Sequence, residues 1–306
     1  MEYYKLPQSD LTVSKIALGC MRISGKSVEE VEELVKTALD LGINFFDHAD
    51  IYGGGKSEEV FGEVLKRHPE YREKMILQTK CGIVPGKRYD FSKEHILQCV
   101  NDSLKRLNTD HVEILLLHRP DALCDPQEVA EAFDELYQAG KVKYFGVSNH
   151  TPLQIELLKK YSKYPLIINQ LQLSIVHSVM IDSGLNMNMK EAFAQDKDGG
   201  VLDYCRLNDI TIQPWSSIQA SWAKGTFIDH PDYQKLNDVM QEIANKYHVT
   251  KPTIAIAWLL RHPAKMQPIV GTTSPIHLKE ISEACKIQLT RQEWYDLYLA
   301  SDKPLP

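Results

Sequence analysis

Short apolar runs alternate with longer amphipathic stretches along the chain. The short runs are rich in Ile, Leu, Val and Phe and carry few charges, which is typical of strands that are buried on both faces. The longer stretches repeat apolar residues on one helical face, as Val31, Leu34, Val35 and Ala38 do. The alternation therefore predicts strands separated by helices, the pattern of a parallel sheet. The predicted strands are Ile16–Leu18, Ile43–Phe46, Met75–Gln78, Val112–Leu117, Tyr144–Val147, Ile167–Asn169, Ile210–Gln213 and Pro268–Val270.

Start and stop signals bound several of the predicted helices. Ser27 and Glu30 are spaced as a capping box, in which each side chain bonds the other residue's backbone amide, and Gly42 supplies a left-handed stop. Asp125 and Thr151 each precede a proline at the first helical position. These residues therefore mark the predicted helix ends. Further helices are predicted from Ser92 to Leu107, from about Pro231 to Tyr247 and from Pro252 to Arg261.

Strand and helix alternate with short connections, which predicts an α/β fold whose parallel sheet closes into a (β/α)8 TIM barrel. An open, doubly wound sheet is the alternative, but no GxGxxG sequence follows the first strand. No linker or low-complexity segment divides the chain, so residues 1–306 are predicted to form a single domain. The stretch Leu173–Gly200 fits no predicted element, and a functional loop and a surface insertion are both open.

Composition narrows the class of protein. The chain has 35 basic and 41 acidic residues and no basic cluster, so nucleic-acid binding is not expected. The N-terminus lacks the apolar region of a secretion signal, and no apolar run reaches the roughly 18 residues of a membrane span. The 6 cysteines are scattered without a CxxC pair, as is usual for reduced thiols. We predict a cytoplasmic protein with no membrane partner, and the sequence leaves the choice between monomer and homo-oligomer open.

Ionisable side chains follow three consecutive predicted strands, at the barrel end where active sites lie. Asp47 and Tyr52 follow the second strand, Lys80 the third and His118 the fourth. Each alone has a structural explanation, such as a turn cap or a core histidine, but their places around one barrel mouth favour a shared site. A buried charge needs a partner, so Lys80 is expected to pair with Asp47 and to lower the pKa of Tyr52. Tyr52 would then be a usable general acid, and a neutral His118 would orient the substrate oxygen.

At these residues the chain resembles the aldo-keto reductases. The resemblance runs from about residue 3 to residue 285. It implies a (β/α)8 barrel with an N-terminal β-hairpin, for which Lys5–Val13 is the candidate, and with accessory C-terminal helices. The matching segments are Asn44–Gly53, Leu77–Lys80, Ser103–Leu107, Leu115–Asp121, Gly146–Asn149 and Asn169–Gln170.

The resemblance further implies an oxidoreductase that reduces a small-molecule carbonyl substrate with NAD(P)H. In the implied reaction, hydride would pass from the nicotinamide to the carbonyl carbon, and Tyr52 would protonate the oxygen as part of a catalytic tetrad with Asp47, Lys80 and His118. The resemblance also implies that an aromatic residue, here Trp215 in place of Tyr, stacks on the nicotinamide ring. The residues implied to bind the cofactor are Gly19, Met21, Ser148, Asn149, Gln170, Trp215, Ser216, Ser217, Gly271, Thr272, Ser274, His277 and Glu280.

The loop after the eighth strand departs from the family pattern. Gly271 stands where the family commonly has Lys, and His277 stands where it has an Arg that pairs with the adenosine 2′-phosphate. Histidine is a weaker phosphate ligand at neutral pH, although Thr272 and Ser274 precede a helix N-terminus that suits an anion. The resemblance therefore favours NADP(H), with NAD(H) as the alternative.

The substrate is left open by the sequence. Met21, Ile23, Arg119 and Trp222 are the candidates for lining the pocket beside Tyr52 and Trp215. Arg119 would favour anionic or dicarbonyl substrates, or it would form a structural ion pair with an acidic neighbour. The C-terminal tail is too short to fold deeply over the pocket, which predicts an open and promiscuous site.

Three other functions fit parts of the sequence. The chain could be an aldo-keto-like subunit that binds the nucleotide as a sensor or an ion-channel partner. It could be a metal-dependent barrel hydrolase with ligands among Asp47, His48, Asp50 and His118, although Lys80 would repel the cation. Gly53–Ser57 suggests a phosphate-binding loop, but Asp50 occupies the place of its first glycine, so a turn with Ser57 capping the next helix is the simpler interpretation.

Overall fold

The computed structural model describes residues 1–190, 192–303 and 305. Its main sheet has eight parallel strands, in the order β11 (Thr211–Trp215), β10 (Leu166–Gln172), β9 (Val142–Ser148), β8 (Val112–Leu117), β5 (Ile76–Cys81), β4 (Phe45–Asp47), β3 (Ala17–Gly19) and β14 (Ile269–Val270). At the seam, the amide of Gln267 donates to the carbonyl of Ile212 over 3.1 Å, which joins the two outermost strands. The predicted barrel is confirmed. The strands are β1 Tyr3–Lys5, β2 Thr12–Ser14, β3 Ala17–Gly19, β4 Phe45–Asp47, β5 Ile76–Cys81, β6 Ile83–Val84, β7 Arg88–Tyr89, β8 Val112–Leu117, β9 Val142–Ser148, β10 Leu166–Gln172, β11 Thr211–Trp215, β12 Gln219–Ser221, β13 Gly225–Thr226 and β14 Ile269–Val270.

The barrel strands extend further into polar sequence than the hydrophobic runs predict. β5 continues past Gln78 to Cys81, and β10 continues past Asn169 to Gln172. Lys80 pairs with Leu116 of β8 within the ladder, although its side chain is charged. A charged residue can occupy such a central position because its ammonium group is fully paired inside the barrel, as described below.

Several helices begin where the capping signals place them. Ser27 and Glu30 form the predicted capping box, and Thr151 and Gln154 form a second one. Gly42 adopts a φ of +79°, in the left-handed region that favours glycine. The helices are α1 Val28–Asp40, α2 Lys56–Arg67, α3 Lys93–Leu107, α4 Pro126–Gln138, α5 Pro152–Tyr161, α6 Val179–Leu185, α7 Val201–Leu207, α8 Gln234–Tyr247, α9 Lys251–Arg261, α10 Pro275–Ser282 and α11 Arg291–Ala300.

An N-terminal hairpin closes the floor of the barrel. β1 and β2 pair antiparallel with Tyr4 opposite Val13, which confirms the predicted hairpin. Leu6 and Val13 are fully buried and join a core cluster with Ala17 and Phe45 from the first residues of their barrel strands. The hairpin therefore lies at the amino ends of the strands, which leaves the opposite end open for a site.

The stretch that fits no predicted element, residues 173–200, contains α6 and a short 3₁₀ helix at 192–194. The C-terminal tail is fastened to this stretch: the Lys303 ammonium donates to the carbonyl of Ile175 and, over 2.6 Å, to the hydroxyl of Ser178. Burial lowers the pKa of Lys303 to about 8. Residue 303 is thus anchored to the stretch that follows β10.

No helix among the described residues is long and apolar enough to cross a membrane. The cytoplasmic location stays a prediction.

Candidate active site

Lys80 is the centre of the candidate site. Its Nζ lies 2.8 Å from Oδ1 and 2.9 Å from Oδ2 of Asp47. The same ammonium donates to the hydroxyl of Tyr52 over 3.0 Å and to the backbone carbonyl of His48 over 2.7 Å. The structure therefore brings together Asp47, Tyr52 and Lys80 in the arrangement that the sequence predicts.

The chain between β4 and α2 carries Tyr52 to this position. Asp47 is the last residue of β4, and the next amide groups continue the ladder: His48 donates to the carbonyl of Gln78, and Asp50 donates to that of Lys80 over 3.1 Å. Tyr52 then begins a short 3₁₀ turn. Because the loop is held to β5 on both sides of Ala49, the phenol is positioned by main-chain bonds rather than by its own packing alone.

Burial and pairing oppose each other at Lys80 and Tyr52. Burial alone would lower the pKa of Lys80, but the charge of Asp47 and the contact with Tyr52 outweigh it, so its pKa is raised. Burial raises the pKa of Tyr52, and Lys80 only partly counteracts this. The predicted net lowering of the pKa of Tyr52 is therefore wrong, because withdrawal from water disfavours phenolate more than one cation stabilises it.

His118 stands beside Tyr52, with the two rings edge to face and 6.0 Å between their centroids. Burial, Lys80 and Arg119 together lower its pKa well below the usual histidine range. The neutral imidazole that the sequence analysis expects is therefore favoured. Its Nδ1 is buried and has no hydrogen-bond partner among the described residues.

Asp47 is further held by two glutamine amides from the barrel interior. Nε2 of Gln78 donates to Oδ1 of Asp47 over 2.6 Å, and Nε2 of Gln170 donates to the same oxygen over 3.0 Å. The charge of Asp47 is thus shared among a cation and two neutral donors. Gln170 is among the residues predicted from the sequence and Gln78 is not, although an amide in an otherwise apolar strand is itself a signal of a buried polar partner.

Polar groups continue from this centre to the ends of β9, β10 and β11. Asn149 donates to the hydroxyl of Ser148 over 2.8 Å and accepts from the indole Nε1 of Trp215 over 3.2 Å. The Gln170 amide nitrogen is fully used by Asp47 and Gln213, which leaves its carbonyl oxygen for a donor such as a carboxamide NH₂. These residues therefore fit the nicotinamide carboxamide that the resemblance implies.

Arg119 does not form the ion pair that the sequence analysis left open. Its guanidinium carbon lies over the Trp215 ring, 5.7 Å from the centroid, and no salt bridge within the described chain includes it. A cation on an aromatic face is a common arrangement for arginine. Arg119 covers one face of the indole, so any ring that stacks on Trp215 has the other face.

The loop after β14 carries the residues predicted to bind the adenosine end of the cofactor. Ser274 caps α10 by accepting from the amide of His277, and its own amide donates to Thr272. Gly271 has no side chain to offer. Arg22 is not among the residues predicted from the sequence, and its Nη1 donates to the Gly271 carbonyl over 3.5 Å. An exposed guanidinium therefore lies beside the position where the family commonly has Lys.

Other predicted residues occupy different places. Ile23 is buried in the core between the barrel and its helices instead of lining the pocket, because it is the apolar side chain of a short turn that packs inward. Trp222 is 70% exposed, and its place in the pocket stays a prediction. Ser57 does not cap α2, since Gly55 precedes that helix and the Ser57 hydroxyl donates to the carbonyl of Met21 over 3.2 Å.

The remaining predicted cofactor residues follow β11 or lie in the β3–α1 and β14–α10 regions. Ser216 has a φ of +55°, and its hydroxyl donates to Gln219. The Ser217 hydroxyl donates to the carbonyl of Pro214 over 3.1 Å. The other members, Gly19, Met21, Thr272 and Glu280, are in the β3–α1 and β14–α10 regions, where their contacts with a cofactor stay predictions.

The ligands proposed for a metal-dependent hydrolase do not form a set. Within the described residues, no group of three or more His, Cys, Asp or Glu side chains could hold a metal ion. His48 packs against Phe61 with ring centroids 4.5 Å apart, and burial lowers its pKa to about 3. The alternative metal site therefore lacks structural support.

Comparison with known proteins shows which proteins this chain is similar to. The family model described as Aldo/keto reductase family matches residues 15–298. Oxidoreductase YdhF of Escherichia coli is 34% identical over 94% of this chain and 93% of its own length. A 6-dehydroglucose reductase of Novosphingobium aromaticivorans is 34% identical over 98% of this chain and 95% of its own length.

A solved structure is similar over the whole fold. The thermostable aldo-keto reductase Tm1743, crystallised with the inhibitor epalrestat, superposes with a TM-score of 0.78 and 26% sequence identity. The match covers 98% of this chain and 100% of that one.

Proposed function

Because the chain belongs to the aldo/keto reductase family, we propose that it reduces aldehydes and ketones to alcohols with a nicotinamide dinucleotide as cofactor and Tyr52 as proton donor. The observation that carries the proposal is the Lys80 ammonium, which bridges Asp47 and the Tyr52 hydroxyl at 2.8 Å and 3.0 Å. A phenol held by a buried cation is an arrangement for moving a proton, since the cation stabilises the phenolate that forms.

Two side chains, Tyr52 and His118, would each contact the carbonyl oxygen of the substrate. The Tyr52 oxygen accepts a hydrogen bond from Lys80, so its own proton is free to be given to a substrate oxygen. The raised pKa keeps this phenol protonated at neutral pH, which is the form that a general acid needs. A neutral His118 can donate a second hydrogen bond to the same oxygen and fix its orientation. A bound reduced nicotinamide supplies the hydride.

We propose NADPH as the preferred cofactor, with Arg22 supplying the cation that Gly271 does not. Arg22→Ala is expected to raise the Kd for NADPH about ten- to a hundredfold, because a charge-assisted bond to a phosphate is lost. The Kd for NADH should change little, since NADH lacks the 2′-phosphate. Fluorescence titration with both dinucleotides measures the two constants without any turnover.

NADH thereby serves as the internal control for the Arg22 experiment. Equal weakening of both dinucleotides would place Arg22 on a phosphate that they share. Unchanged binding of both would contradict the role of Arg22. Tighter binding of NADH than of NADPH by the wild-type protein would contradict the proposed preference and point to His277 as the reason.

We further propose that Arg119 selects substrates with an anionic or electron-rich group near the carbonyl. Its guanidinium is held over Trp215 and is free of acidic partners among the described residues. Arg119→Met is expected to raise the KM of a carboxylate-bearing aldehyde roughly tenfold relative to a neutral aldehyde of the same length. Steady-state kinetics with the matched pair checks this; equal changes for both aldehydes would mean that Arg119 only packs against Trp215.

The proposed function as a whole is tested by turnover. The protein is supplied with NADPH and a panel of aldehydes, dicarbonyls and hexose-derived aldehydes, and the alcohol product is identified by chromatography. Consumption of NADPH with matching alcohol formation is the expected result. Tight dinucleotide binding without alcohol from any carbonyl would instead favour a nucleotide-binding sensor or channel subunit.

A further inference from the structure

Glutamine side chains occupy the centre of the barrel between the candidate site and the hairpin floor. Gln78, Gln170, Gln213 and Gln267 are all buried. The interior of a parallel barrel is usually filled by branched apolar side chains, and a buried amide needs hydrogen-bond partners. Four amides in this position therefore call for an explanation beyond packing.

The direction of the hydrogen bonds is fixed from the floor upward. Nε2 of Gln267 donates to the backbone carbonyl of Ser14 over 2.7 Å, and a carbonyl can only accept. The Gln267 oxygen therefore faces Gln213, whose Nε2 donates to it over 2.8 Å. The side-chain oxygen of Gln213 therefore faces the candidate site, where it needs hydrogen-bond donors.

Asp47, at the end of the network nearest the candidate site, is also an acceptor. A simple chain of amides would therefore leave the Gln213 side-chain oxygen facing the Asp47 carboxylate, with no donor between them. Gln78 and Gln170 resolve this conflict because each amide nitrogen has two hydrogens. Nε2 of Gln78 bonds the Gln213 oxygen at 2.9 Å and Oδ1 of Asp47 at 2.6 Å. Nε2 of Gln170 bonds the same two atoms at 3.0 Å each.

This arrangement leaves the side-chain oxygen of Gln78, which is buried, without a hydrogen-bond partner among the described residues. An unpaired buried carbonyl is unfavourable, and an apolar side chain of the same size would fill the space without it. The amide of Gln78 is therefore aligned to serve the charge of Asp47 at the expense of its own oxygen.

We propose that Gln78 is a positioning residue for proton transfer, which holds the charge of Asp47 on Oδ1 so that Lys80 keeps its contact with Tyr52. The proposal rests on the proposed function of Tyr52. The charged and titratable groups around the phenol are Lys80, Asp47, Cys20 and His118. Without the Gln78 donor, the charge of Asp47 would be less neutralised and would oppose the phenolate more strongly.

The variant Gln78→Met removes both donors and keeps a similar volume. In alcohol oxidation, where Tyr52 must act as the base, the apparent pKa of kcat is expected to rise by about one unit. The rate of carbonyl reduction at neutral pH is expected to fall roughly tenfold, and the KM for the cofactor should not change. A purely structural role would lower the melting temperature without moving the pH profile.

Gln267→Met is the matched control. It breaks the bond to the Ser14 carbonyl at the floor but leaves both donors on Asp47. A loss of stability with an unchanged pH profile is expected. The proposal is overturned if Gln78→Met has the wild-type profile, or if Gln267→Met moves the profile as far as Gln78→Met does.

A titration without turnover separates this proposal from the proposed function. The ¹³Cζ resonance of Tyr52, assigned by its absence in Tyr52→Phe, is followed through the alkaline range in wild type and variant. A higher titration midpoint of Tyr52 in Gln78→Met than in the wild type supports the positioning role, even if the protein reduces no carbonyl. Titration curves that coincide in the two proteins overturn it. If Gln78→Met does not fold, Gln78→Asn replaces it, because the shorter side chain withdraws the amide donor from Asp47. The same two outcomes of the titration then support or overturn the proposal.

Discussion

Tyr52→Phe is expected to lower kcat for carbonyl reduction by about a hundred- to ten-thousandfold. The substitution removes the oxygen that lies 3.0 Å from Lys80 Nζ and keeps the ring that packs beside His118. Affinity for the dinucleotide should stay close to that of the wild type, since the loss concerns an interaction made in the transition state. Steady-state kinetics with NADPH and a reactive aldehyde, together with a binding titration, checks both statements.

Tyr4→Phe is the matched control for this prediction. Tyr4 is a second tyrosine whose hydroxyl is buried, on the hairpin at the floor of the barrel, and that hydroxyl has no partner among the described residues. Its removal should leave kcat unchanged. An equal fall in both variants would show that a buried phenol matters for folding rather than for proton transfer.

The raised pKa of Tyr52 also fixes the sign of the pH dependence. Reduction requires the protonated phenol, so its rate should persist through neutral pH and fall as the pH rises through the pKa of Tyr52. Oxidation of the alcohol requires the phenolate and should rise over the same range.

Lys80→Met is expected to abolish activity and to lower the free energy of unfolding by about 3–5 kcal/mol. Lys80 and Asp47 are both shielded from solvent, so removal of the cation leaves a buried carboxylate with neutral donors only. The activity falls because the phenolate of Tyr52 loses the charge that stabilises it. Urea unfolding and NADPH-dependent turnover measure the two effects separately.

The double variant Lys80→Met, Asp47→Asn distinguishes the two roles of the ion pair. Without either charge, much of the lost stability should return, because the penalty comes from the unpaired carboxylate. Activity should remain absent. Recovery of turnover in the double variant would mean that Lys80 serves only to neutralise Asp47.

The barrel was predictable from sequence because both of its signals are local. Apolar runs such as Val112–Leu117 mark strands buried on two faces, and capping residues such as Ser27 mark where helices begin. The carboxyl end of β5 was less predictable, since a lysine alone indicates a surface position and the partners of Lys80 lie on other elements.

The residues of the candidate site were predictable from the sequence, but the net shift of the Tyr52 pKa was not. The pairing of Lys80 with Asp47 follows from the need to neutralise a buried charge. The net direction of the Tyr52 pKa does not, because it depends on how completely the fold excludes water from the phenol. Arg22 and Gln78 were missed because their partners, Gly271 and Asp47, come from distant parts of the chain.

The rate of the chemical step shows whether Tyr52 delivers the proton. In a stopped-flow single turnover at saturating NADPH and aldehyde, wild type and Tyr52→Phe are compared by the loss of NADPH absorbance. If Tyr52 delivers the proton, the variant binds NADPH as tightly as the wild type but transfers hydride at least about a hundredfold more slowly. Equal single-turnover rates would show that the proton comes from another group.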